Sequence, residues 1–68
     1  MAVVIEADGS YRLTGGILTE PRLKWAPSTE QVVITVPVPG GLAAIATVGL
    51  EDLEFALARL RSRAEVER

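Results

Sequence analysis

Gly49-Leu50-Glu51-Asp52-Leu53-Glu54-Phe55-Ala56-Leu57-Ala58-Arg59-Leu60-Arg61 decides the class of this fold. Leu50, Leu53, Leu57, Leu60 and Ala64 recur at alternating steps of three and four, which places them on one stripe of a helix. Glu51, Asp52 and Glu54 occupy the first turns and Arg59, Arg61 and Arg63 the later ones, so side-chain charge opposes the helix dipole at both ends. Gly49 marks the entry, and the pattern predicts a helix over about 50–65 that docks by its leucines and carries no chemistry. The tail from Ala64 to Arg68 is expected to fray.

Upstream the period changes from 3.6 to 2. In Gln31–Val38, Val32, Ile34, Val36 and Val38 fall on one face and Val33, Thr35 and Pro37 on the other, the alternation of a half-buried strand. Pro37 and Pro39 put its far end at an edge or beyond the ladder. Pro39-Gly40-Gly41 then turns the chain. Leu42–Val48 contains alanines that suit a helix, but Thr47-Val48-Gly49 would interrupt one. Pairing back on Gln31–Val38 is the economical topology, so the segment reads as a strand.

Nearer the start, Val3–Ala7 and Ser10–Thr14 flank Asp8-Gly9, a strong hairpin signal. A two-residue turn there pairs Ala7 with Ser10, sets Glu6 opposite Tyr11 and Val4 opposite Leu13, and assigns Val4, Tyr11 and Leu13 to the core face. Gly15-Gly16 ends that strand, and Ile17-Leu18-Thr19 offers the start of a third. Pro21 marks a turn or an edge, Arg22–Trp25 alternates with Leu23 and Trp25 on one side, and Ala26–Thr29 reads as a loop. The expected fold is therefore α+β: a single domain over 1–68, with four to five short antiparallel strands within about 2–48. One C-terminal helix packs on one sheet face, with Leu50, Leu53, Leu57 and Leu60 over Val32, Ile34 and Val36.

Composition narrows the function. The chain has 68 residues, of which 49% are hydrophobic, more apolar surface than so small a domain can hide alone. The ordinary resolution is a partner, most often a second copy. No apolar run, Leu42–Ala46 included, is long enough to span a bilayer, and Met1–Glu6 lacks the pattern of a signal peptide, so the reading is cytoplasmic with no membrane partner. With no cysteine and no histidine, thiolate sites, the commonest general base and the commonest metal ligand are missing. Six arginines against one lysine, with many Ala, Val and Gly, match the codon bias of a GC-rich genome. The strand–Pro-Gly-Gly–strand–helix ending is an architectural analogy with small bacterial and phage proteins, without a shared activity. A bacterial or phage regulatory protein fits both.

No constellation completes a mechanism. Glu51, Asp52 and Glu54 are accounted for as partners of the helix dipole, and Asp8 as a turn residue. Gly15-Gly16 and Gly40-Gly41 match neither a Walker loop nor GxGxxG, and Ser10, Ser28 and Ser62 have no base beside them in sequence. Tyr11 and Trp25 are too few, and too little interleaved with Arg12, Arg22 and Lys24, to make a base-stacking platform; Trp25 reads as a core lid. Catalytic, cofactor and metal residues are none. Phe55, by contrast, points away from the leucine stripe together with Ala58 and Ser62, and Arg59 lies one turn on, within reach of its ring. One aromatic beside small residues permits close approach of another surface, so Phe55, Ala58, Arg59 and Ser62 are the candidate interface. The expected function is a non-enzymatic interaction module, a homodimer that binds or inhibits another protein. A nucleic-acid-binding transcriptional regulator ranks second, since the net charge is −2 and the arginines spread round the helix. A small-ligand binder at a dimer interface ranks third.

Overall fold

The computed structural model describes residues 2–67; Met1 and Arg68 lie outside them. Five strands run as an antiparallel meander in the order β1-β2-β3-β4-β5, followed by one helix. They are β1 (Val3–Ile5), β2 (Tyr11–Leu13), β3 (Arg22–Ala26), β4 (Gln31–Val38), β5 (Leu42–Gly49) and α1 (Leu50–Val66). The fold is a small α+β unit, and Leu42–Gly49 is a strand paired along its whole length with Gln31–Val38.

Two of the connections use three-residue loops that end on a left-handed glycine. Pro39-Gly40-Gly41 joins Val38 to Leu42, with Gly40 at φ 93° and Gly41 at φ 77°, values that cost a side chain-bearing residue steric strain. Pro39 with its fixed φ ahead of Gly40 is the sequence signature of a type II turn. Ala7-Asp8-Gly9 closes the first hairpin: Gly9 is at φ 86°, Glu6 N–H donates to Ser10 O at 2.9 Å, and Gly9 N–H donates to Glu6 O at 3.0 Å.

This loop corrects the expected two-residue turn. The register is Val3↔Leu13, Val4↔Arg12 and Ile5↔Tyr11, one residue away from the pairing of Ala7 with Ser10. Asp8 gives one reason, since its Oδ1 accepts from Ser10 N–H at 2.9 Å and from Ser10 Oγ at 2.6 Å, and Ser10 is buried as a result. The hydrophobic pattern gives the other. In the expected register Glu6 would stand on the apolar face opposite Tyr11. In the observed one it shares the opposite face with Arg12, whose Nε donates to Glu6 Oε1 at 2.7 Å. Tyr11 and Leu13 keep the apolar face, Val4 leaves it, and Val3 and Ile5 join.

The registers then carry one apolar face across the whole sheet. Ile5, Tyr11, Leu23, Ile34 and Ala46 succeed one another from strand to strand, and Trp25, Val32 and Val48 form the next row. The other face holds Val4, Arg12, Arg22, Lys24, Val33, Thr35 and Ile45. Pro37 stands in an inner strand yet breaks no ladder, because β3 reaches only as far as Thr35; beyond that its carbonyl accepts from Thr19 Oγ1 at 3.1 Å.

The core is small. Among the described residues Val32, 7% exposed, is the one buried hydrophobic side chain. The helix matches the expected limits within a residue, but its leucines are seated differently from the expectation. Leu53 is half-buried, whereas Leu57 and Leu60 are 54% and 63% exposed and do not cover Ile34 and Val36. Gly49 explains the geometry: extended at φ −65°, ψ 142°, it passes from β5 into α1 with no connecting loop. A helix starting on the last residue of an edge strand meets the sheet with its first turn, and this one departs from it thereafter. The tail is also more regular than expected, helical to Val66 with Glu67 N–H donating to Arg63 O at 3.1 Å.

Candidate interaction surface

Alternation on five strands turns fourteen apolar side chains to one side of a sheet that one helical turn covers. Leu50 and Leu53 line, together with Tyr11, Leu23, Lys24, Trp25 and Val32, a hollow of about 340 Å³ with almost wholly apolar walls. Outside that hollow the face is open: Val3, Ile5, Val38 and Leu42 are exposed, and within it Trp25 is still 46% exposed. The leucine stripe continues the same surface along α1.

Phe55, Ala58, Arg59 and Ser62 are all exposed on α1, and the guanidinium carbon of Arg59 stands 5.9 Å from the centre of the Phe55 ring, within cation–π reach. The structure therefore brings the four expected interface residues onto one accessible helix. Arg61–Glu65 at 3.4 Å and Arg63–Glu67 at 2.7 Å are exposed pairs one turn apart that add little to stability.

Sequence reasoning missed Ile17 and Leu18. They are 99% and 96% exposed at the tip of the β2–β3 loop, the two most open aliphatic side chains described. The sequence admits Ile17-Leu18-Thr19 as the start of a further strand, but in the structure they belong to none; Gly15-Gly16 before them and Pro21 after them were the signal for a loop.

Charge gathers on the opposite face. Arg12, Arg22 and Lys24 share it, with Arg12 directly beside Arg22. Glu6 on one side and Glu20, at 3.2 Å, on the other hold Arg12, and the hydrogen bond to Glu6 above all raises its already high pKa. The Asp8 carboxyl is held below its ordinary 3.8 by the hydrogen bonds from the Ser10 hydroxyl and backbone, with smaller help from Lys24 and Arg22.

Among the described residues no three of His, Cys, Asp and Glu come together as a metal site, and no helix is long and apolar enough to cross a membrane. Comparison with protein-family models, curated proteins and solved structures returns no match.

Proposed function

We propose that this chain is a non-enzymatic protein-interaction module, a cytoplasmic homodimer that binds or inhibits another protein. The observation that carries the reading is surface. The chain exposes 5689 Å², whereas a compact protein of its mass exposes about 4,200 Å². Its radius of gyration is 13.4 Å against about 11 Å for a compact domain of this length. An excess of about 1,500 Å² is larger than the roughly 800 Å² that each partner contributes to a standard interface. The open apolar face and the leucine stripe are among the exposed surface, the kind that stable interfaces cover. With the leucine side of α1 turned to a second copy, Phe55, Ala58, Arg59 and Ser62 stay outward for another protein.

Light scattering at micromolar concentration tests the first part. Two chains of 7.3 kDa are expected; a clean monomer across about a hundredfold dilution overturns the reading.

A nucleic-acid-binding regulator is the second reading, favoured by the placement of Arg12, Arg22 and Lys24 on one face. It ranks lower because Glu6 and Glu20 already neutralise Arg12. Binding of mixed-sequence DNA that weakens steeply with salt would promote it.

A further inference from the structure

The two edges of the sheet are unlike. β1 is three residues long. β5 is eight residues long, Leu42-Ala43-Ala44-Ile45-Ala46-Thr47-Val48-Gly49, and carries no charge, no proline and no bulge against β4. Proteins guard open edges with lysines, prolines, bulges or short strands, because a row of unpaired N–H and C=O groups is a template for another strand. β5 has none of these guards.

Its unpaired groups can be assigned. Pro37 has no N–H, and its carbonyl is turned to the β3 side, where Thr19 Oγ1 donates to it. Pro37 and its partner Ala43 are thus a non-hydrogen-bonded pair, in which both residues direct their backbone groups away from each other. Strand alternation then aims the N–H and C=O of Ala43, Ile45 and Thr47 at the open edge and those of Ala44, Ala46 and Val48 at β4.

We infer that β5 pairs edge to edge, antiparallel, with β5 of a second copy, making one ten-stranded sheet across a two-fold axis. The inference rests on the self-association proposed above and names its contact. Three observations select a second copy as the occupant. Antiparallel pairing of identical strands is self-complementary, so it closes as a dimer. It carries the apolar face unbroken through the seam and leaves only the two short β1 strands as edges. It also places the two helices, each starting where β5 ends, at opposite ends of the seam, where part of the surplus of about 1,500 Å² can be covered against the standard contribution of about 800 Å² per partner.

Amide hydrogen exchange of the unmodified protein, run beside light scattering, tests this. The expected result is a two-chain mass, with the amides of Ala43, Ile45 and Thr47 protected to within about tenfold of those of Ala44, Ala46 and Val48. A two-chain mass with fast exchange at Ala43, Ile45 and Thr47 alone overturns the seam and leaves self-association standing. A monomer overturns both. Ile45→Pro removes one outward donor and none of the β4 bonds, so it should lower the mass to one chain. Ile45→Pro that stays fully dimeric also overturns the seam.

Discussion

Val32 in β4 is 7% exposed and Leu57 in α1 is 54% exposed, although each belongs to a regular apolar pattern. The difference lies in where neighbours come from. β4 is flanked by short loops on both sides, so β3 and β5 are delivered to it by local chain geometry, and Leu50 and Leu53 close over one end. α1 begins on the last residue of an edge strand and has the sheet beneath only its first turn. An apolar stripe states that a side needs cover; the connections decide whether the same chain supplies it.

The most drastic way to break the comparison is Leu57→Ala. If a second copy covers the stripe, this truncation costs about 2–5 kcal/mol at concentrations where the chains are assembled. Thermal unfolding measured at high and low concentration shows whether the loss disappears on dilution. An unchanged melting temperature at every concentration would mean that the stripe remains in water and that α1 is an arm. Val32→Ala comes next. It should cost about 1.5–3 kcal/mol, the worth of burying such a side chain. Because Val32 is covered from within its own chain, denaturant titration should give that loss with little dependence on concentration.

Third is Gly41→Ala in the β4–β5 loop. At φ 77° an alanine is strained by about 1–2 kcal/mol, with open space around the new methyl group. The loss should therefore be conformational, and Gly41→Asn, which tolerates that region better, should recover part of it in the same titration. A loss of similar size in Gly41→Asn and Gly41→Ala would count against strain as the cause.

The elements that alternation and capping define were legible in the sequence: the helix and its limits, β3, β4, and the return of Leu42–Gly49 onto β4. The first hairpin was legible as a hairpin but not in its register. Asp8-Gly9 serves a two-residue turn, and with Ala7 it serves equally a three-residue loop; the choice came from the Ser10 side chain and from removing Glu6 from the apolar face. The seating of Leu57 and Leu60 was not legible, because helical periodicity gives the direction of a stripe and not the distance to a sheet. Phe55, Ala58, Arg59 and Ser62 were legible as one helix face, and the Arg59–Phe55 contact follows from one-turn spacing. The bare edge of β5 was hidden, since being outermost is a property of topology that no single segment carries.

The smallest effect concerns the loop that set the first register. Asp8 is exposed, and its carboxyl is held below 3.8 first by the Ser10 hydroxyl and then by the Ser10 N–H. A carboxylate whose folded pKa is depressed stabilises the fold fully above its unfolded value. That stabilisation is lost as pH falls through 3.8 toward the folded pKa, because the proton displaces the two hydrogen bonds. The parent protein should therefore lose a small part of its stability over this acid range. Asp8→Ala should lack that part of the slope and be slightly less stable at neutral pH, while Asp8→Asn should keep an acceptor for Ser10 and lose only the pH dependence. Urea titrations of the three proteins at pH 7 and at pH 3 make the measurement. Should Asp8→Ala show the same acid slope as the parent, the carboxylate does not hold Ser10 in solution. The three-residue loop would then rest on Gly9 and the apolar register alone.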